Sequence, residues 1–281
     1  MGSRATTTAA GHGADVHGHV YTVCRASKSN ATANPLRCTR ARNGQECALL
    51  LGERCATSRG PGGQVPSTSL PVSVTPAARA FLAAVSLPVE QRPPAPPTLV
   101  VAAHPDDEVL GAGGQIEWLA PAVYVAHLTP GVPIALDLDQ RAAYNTPHAY
   151  GVCRARELDA VLGRAGIPPK RRFRLGGADQ RCARMLERLA RELRDLLCRL
   201  KPAVLLTHAY EGGHPDHDAS AFAAQTACRL LSEPPARLEF TSYHGRGGRF
   251  ECASFLPNGD EGLLARMDEG QRTFKRALMA E

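Results

Sequence analysis

From Thr75 onward the chain alternates short apolar runs with longer segments of helical period. The apolar runs cover residues 98–103, 122–128, 172–175, 203–208 and 238–243. Two of them, TLVVAA and AVLLTH, are apolar except at one end and show no polar alternation, the pattern of strands buried on both faces. Between and after the runs lie helical segments around residues 108–120, 151–165, 181–200, 217–232 and 262–279. The clearest is 181–200, where Met185, Leu186, Leu189, Leu193, Leu196, Leu197 and Leu200 recur at the spacing of one helix face. Upstream, Thr75-Pro76 offers an N-cap followed by proline at the first helical position, opening a short helix through AARAFLAAVSL. RPPAPP, residues 92–97, reads as a stiff connector. Strand–helix alternation predicts an α/β fold with a mostly parallel sheet and helices on both faces.

Residues 1–70 break this order. They are rich in Thr, Ala, Gly, Arg and Asn, with one apolar cluster, Ala48-Leu49-Leu50-Leu51, and no sustained period. The expected organisation is a disordered N-terminal extension over 1–70 and one folded domain over 71–281.

Composition narrows the functional classes. The formal charge of +6 comes almost wholly from arginine, since lysine occurs only at Lys28, Lys170, Lys201 and Lys275. No basic run carries interleaved aromatics, so nucleic acid is not an expected partner. No stretch approaches the roughly 18 apolar residues of a membrane span. The N-terminus lacks a charged start followed by an apolar core, so no signal peptide is read there. The nine cysteines include no Cys-x-x-Cys pair and are odd in number. They read as reduced thiols of a cytoplasmic protein rather than a zinc ribbon or a disulfide framework.

The chemistry is concentrated in two stretches. VAAHPDDEVLGAGG, residues 101–114, follows the run TLVVAA and opens a helix; THAYEGGHPDHDA, residues 207–219, does the same after AVLLTH. In open α/β sheets, ligands bind beyond the carboxyl ends of the strands. His104, Asp107 and His217 can therefore face one another there, and two imidazoles with one carboxylate suit a catalytic metal that keeps open positions. Asp106 and His214 would flank it, free for proton transfer. A single His-Pro-Asp reads equally well as a turn, with Asp216 or Asp218 as a helix cap. Its occurrence twice, each time after a strand and before a helix, favours a site. The glycines at 111, 113 and 114 do not have the spacing of a dinucleotide fingerprint.

AHPDDEVLGAGG together with GGHPDHDA resembles the PIG-L/LmbE-like family of zinc-dependent N-acetylglucosaminyl deacetylases, over about residues 98–245. The resemblance implies a Rossmann-like fold and hydrolysis of an N-acetyl group on a small-molecule glucosamine-type sugar or glycoconjugate. It implies His104, Asp107 and His217 as metal ligands, Asp106 as general base and His214 as oxyanion stabiliser. Zinc is the implied metal, and the same donors suit ferrous iron. RARELDAVLG, residues 154–163, and LGGAD, residues 175–179, are similar to family segments that contact the sugar, which points to Arg154 and Asp179. One departure is Gly212, where some relatives place a tyrosine.

Amide hydrolysis explains why these groups belong together. It needs an activated water, a stabilised oxyanion and a proton for the departing amine. Asp106 adjoins a ligand and can take the water's proton. His214, as imidazolium, would offset oxyanion charge, and Asp216 is expected to orient that ring. Glu108 has two readings, a charge favoured at a helix N-terminus or a group that orients a ligand. His208 reads as support for the site or as structure, and His127 as structure. Two alternatives stand beside the deacetylase: an amidase on a different acyl amide, and a non-catalytic sugar- or nucleotide-binding module. A binder has no use for Asp106.

Overall fold

The computed structural model describes residues 75–256 and 262–281, together with the backbone of residues 21–26. Five parallel strands form the centre: β2 (Thr98–Ala102), β3 (Val123–His127), β4 (Arg172–Arg174), β5 (Val204–His208) and β6 (Ala236–Phe240). All five fall within or overlap the apolar runs. Two further strands, β1 (Tyr21–Ala26) and β9 (Leu263–Arg266), extend the sheet in the order β4-β3-β2-β5-β6-β1-β9. β1 runs antiparallel to both of its neighbours. A hairpin of β7 (Tyr243–Arg246) and β8 (Arg249–Cys252) forms a separate two-stranded sheet. Its turn is Gly247-Gly248, both at positive φ, as the tight turn between such strands requires.

Helices cover both faces. On one, α6 (Leu186–Leu200) and α7 (Pro215–Arg229) bury Leu189, Leu193, Leu197, Ala223 and Ala227 against Leu99, Val101 and Leu205. Val100 and Leu206 point the opposite way by strand alternation and are equally buried. α1 (Pro76–Val85) starts as expected, with the Thr75 hydroxyl accepting from the Ala78 N–H. After β3 come α4 (Leu138–Tyr144) and α5 (Pro147–Arg164). Among the described residues no helix is long and apolar enough to cross a membrane.

Three expectations change. The helix expected over 108–120 is two short ones, α2 (Asp107–Ala112) and α3 (Ile116–Leu119), interrupted at Gly113-Gly114. The segment 262–279 is not one helix: Leu263–Arg266 is strand β9, and Asp268 then caps α8 (Glu269–Met279) through a reciprocal box with Gln271. Within the expected N-terminal extension, residues 21–26 pair between β6 and β9. The rest of residues 1–74 lies outside the described residues.

The strand order places the site. The chain runs outward from β2 through β3 to β4, then returns to lay β5 on the other side of β2. That reversal opens a crevice at the carboxyl ends of β2 and β5. Helix α2 starts at its edge and is too short to hold itself. Phe240 lies so close to Gly111 that no larger residue fits there. From α8, the Gln271 amide donates to the Gly114 carbonyl at 2.6 Å and the Lys275 ammonium to the Leu110 carbonyl at 2.8 Å.

Lys275 is only 8% exposed, and burial pushes its ammonium down to about 8 from its ordinary value of 10.5. Between these values the unfolded chain holds a proton that the folded chain has released. The Lys275 contribution to stability therefore rises with pH across about 8 to 10.5. Lys275→Met removes that term and flattens this part of the profile relative to the parent. Urea unfolding at several pH values checks it, and parallel profiles would show that Lys275 titrates normally.

Candidate functional site

The first motif begins where β2 stops. Asp107 opens α2 and is 4% exposed. One of its oxygens, Oδ2, accepts from the His104 N–H at 2.9 Å and lies 3.2 Å from His104 Nδ1 and 3.4 Å from His208 Nε2. The other, Oδ1, lies 3.3 Å from His217 Nε2. Burial alone would raise this carboxyl. His208, with His104 and His217, holds it well below the usual carboxylate range.

His104 faces carboxylates on both edges. Its Nε2 is 3.2 Å from Asp216 Oδ2 and 3.4 Å from Asp179 Oδ1. Burial would lower the imidazole, but Asp107, Asp179 and Asp216 together push it up to about 12. Three carboxylates thus face this one imidazole, an arrangement that calls for positive charge.

Three sets of donor atoms lie within 4.8 Å of one another: His104 with His214 and His217, Asp107 with His208 and His217, and His104 with Asp179 and Asp216. Each of the expected ligands His104, Asp107 and His217 belongs to at least one set, and no single set contains all three. Asp107 links them, turning one oxygen to each imidazole. Imidazole and carboxylate donors converging at a buried position fit zinc or ferrous iron.

The second motif follows β5. His214 caps α7, and its Nδ1 accepts from the Asp216 N–H at 3.2 Å. Its ring meets His104 edge-on at 4.9 Å between centroids. Burial, then repulsion from His104 and His217, lowers its pKa. The expectation that the Asp216 carboxylate orients His214 is corrected: the main chain of Asp216 does so. Its carboxylate turns the other way, accepting from the Gln180 N–H at 2.6 Å and the Cys182 N–H at 3.0 Å and facing His104. Asp218 accepts from the N–H groups of Glu211 and Gly212, which fixes the loop before the helix. Gly213 leaves room for the Tyr243 carbonyl, so the β7–β8 hairpin sits directly on this loop.

Asp106 differs sharply from its neighbour. Its backbone has φ of 140°, a region that side-chain-bearing residues rarely enter. The side chain keeps 53% of its surface exposed, while the protein crowds it from behind. That desolvation, then repulsion from Asp107, outweighs Arg154 and pushes the carboxyl up to about 6. Arg154, expected at the sugar, reaches from α5 to Asp106 Oδ2 at 3.0 Å, to the Pro105 carbonyl and to Glu157 at 3.2 Å. Asp179, expected there too, faces His104.

Residues that sequence reasoning left undecided or missed complete the surroundings. His208 stacks on His217 at 4.1 Å between centroids, and its Nε2 accepts from the Ala103 N–H at 3.1 Å. Its place at the very end of AVLLTH was the available signal. Tyr243, on the hairpin, lies 5.6 Å from the His217 ring, and no spacing rule pointed to it. Glu108 is turned inward to His127, at 2.8 Å.

Residues 99–228 match the family model described as GlcNAc-PI de-N-acetylase, PIG-L. Comparison with curated proteins finds no match. Among solved structures, a deacetylase–bog complex from the biosynthesis pathway of teicoplanin is 18% identical over 65% of this chain and 82% of its own, with a TM-score of 0.51. The zinc inhibited form of the teicoplanin deacetylase Orf2 is 17% identical over the same shares, with a TM-score of 0.50. At such identities the likeness shows the fold. The N,N'-diacetylchitobiose deacetylase from Pyrococcus horikoshii is 22% identical over 50% of this chain, with a TM-score of 0.42, and the match spans about half (51%) of that protein. Both His-Pro-Asp turns, at one crevice in the expected fold, lie inside the matched stretch, so the likeness to the PIG-L/LmbE-like family is carried by a domain at residues 99–228, a little under half of the chain.

Proposed function

We propose that the protein is a metal-dependent hydrolase that removes the N-acetyl group from a glucosamine-type sugar or glycoconjugate. The observation that carries this reading is Asp107: a buried carboxylate shared by imidazoles from both His-Pro-Asp turns, with a second, cleft-facing carboxylate beside it.

His104, Asp107 and His217 would hold the metal, zinc or ferrous iron. A bound zinc ion lowers the pKa of water to about 7 and polarises a carbonyl. Asp106 takes the proton of the attacking water. Its exposed face and a carboxyl raised to about 6 suit a base working near neutral pH. Arg154 holds it in place by the contact with Oδ2. His214 stabilises the developing oxyanion. The Asp216 N–H already donates to its Nδ1, so in the neutral ring the proton sits on Nε2, free to be donated. The lowered pKa of His214 favours this neutral donor over the imidazolium expected from sequence. By the family resemblance Arg154 and Asp179 would also contact sugar hydroxyls, beside the Asp106 and His104 that they meet. A cytoplasmic location is part of the reading. The cysteines at 153, 182, 198, 228 and 252 are free thiols, as a reducing compartment maintains.

Incubation with a panel of N-acetylated sugars and glycosides, followed by mass spectrometry, is expected to show loss of an acetyl group that a chelator abolishes and zinc restores. No acetyl loss from any of them with metal-loaded protein would remove the deacetylase reading.

His217→Ala is expected to lower bound metal sharply by elemental analysis. Asp106→Asn should retain the metal and lose most turnover. His214→Ala should also retain it and lose roughly 100- to 1,000-fold, the usual scale for one oxyanion donor. Full metal content in the first variant, or parental turnover in either of the others, would contradict the role assigned to that residue.

A further inference from the structure

We propose that Glu108 and His127 are a positioning pair that holds the Asp106 carboxylate in the cleft through the Asp106 main chain. The inference rests on Asp106 acting as the base, and it assigns a role to two buried residues that the proposed chemistry does not otherwise use.

Both side chains are almost completely buried, Glu108 at 0% and His127 at 1% exposure. A helix-dipole role does not explain this, because a first-turn carboxylate acts on the dipole equally well from the surface. Fully buried glutamates are rare unless paired. Here one oxygen makes both contacts. Glu108 Oε2 accepts from the Asp106 N–H at 3.1 Å and meets His127 Nε2 at 2.8 Å. The other oxygen, Oε1, is buried with no hydrogen-bond partner. An apolar residue would spare that orphaned oxygen but leave the Asp106 N–H and His127 Nε2 without their acceptor, so the carboxylate is there for the two groups it holds.

What the carboxylate holds is the unusual backbone of Asp106. With φ of 140°, that residue has left the conformations an aspartate ordinarily adopts. Such a conformation persists only where its surroundings impose it, and it recurs at functional sites. Glu108 grips the amide on the inner side while Arg154 grips the carboxylate and the Pro105 carbonyl on the outer side. The inner grip is anchored to the sheet. His127 is the last residue of β3, paired with Ala102 and Arg174, and its carbonyl accepts from the Leu175 N–H at 2.8 Å. A rigid strand end thus sets His127, His127 sets Glu108, and Glu108 sets the turn from which Asp106 projects.

The test is a double-mutant cycle on the metal-loaded protein, with metal content measured for each variant. Glu108→Met fills the space without an acceptor, and it should lower kcat about 10- to 100-fold with little change in KM. Glu108→Gln can present its one oxygen where Oε2 lies and should keep most of the activity. In an Asp106→Asn background, Glu108→Met should cost nothing further, because the group it positions is already gone. His127→Leu should reproduce Glu108→Met, and it carries the same cycle if Glu108→Met does not fold. In metal-free protein, hydrogen exchange at the Asp106 amide should be slow in the parent and at least tenfold faster in Glu108→Met, with other amides of α2 unchanged. Parental kcat in Glu108→Met while Asp106→Asn is inactive would overturn the positioning role alone. Equal losses in both backgrounds, or faster exchange along the whole of α2, would make the pair merely structural and overturn it too. Parental turnover in Asp106→Asn would overturn the base assignment and with it this role.

Discussion

The site depends on keeping one carboxylate charged out of water. Asp107 sits at 4% exposure, where an isolated ion would be penalised by several kcal/mol. It is tolerable because imidazoles reach it from three positions: His104 after β2, His208 at the end of β5 and His217 in α7. This makes the two His-Pro-Asp turns mutually dependent. Neither is satisfied without the other, so the crevice between β2 and β5 must close around both. The rest of the arrangement follows from that closure. Asp216 and Asp179 balance the far side of His104, and the hairpin seals the second turn through Tyr243.

Adjacent residues then acquire opposite properties. Asp107 faces inward among imidazoles and stays ionised; Asp106 faces outward beside that fixed negative charge and is pushed up to about 6. Environments that drive two carboxyls apart are the usual basis for dividing chemical roles between them. The backbone change at Asp106 is what separates the environments. In a regular helix start, neighbouring side chains would leave the axis about 100° apart and share more of their surroundings.

Much of this could be read from residues in order. The central strands were visible because a parallel sheet buried on both faces leaves unbroken apolar runs. The two motifs were visible because they sit where those runs end. What escaped depended on partners distant in the chain. Leu263–Arg266 looks like the start of a helix until β1 is known to lie beside it, and β1 comes from a stretch whose composition suggests no structure. The break within 108–120 was marked by Gly113-Gly114, yet the apolar residues on either side masked it. Within the site, residue types were legible and directions were not. Asp216 was recognised as part of the cluster, but which way its carboxylate turned depended on the N–H groups of Gln180 and Cys182. Tyr243 enters through a hairpin whose own sequence gives no hint of what it rests upon.

The position of β1 has a consequence for how the chain reaches its native state. Ala26 pairs with Leu238, and Tyr21 with Arg266, so both neighbours of β1 lie more than 200 residues further along the chain. The parallel strands can assemble without β1, each beside one already present, but β6 then has an open edge. An unpaired edge beside an apolar core is a template for unwanted association. Insertion of β1 closes it, and β9 then covers β1. Completion of the sheet therefore waits on the pairing of greatest sequence separation, and β6 keeps an adhesive border until β1 is in place.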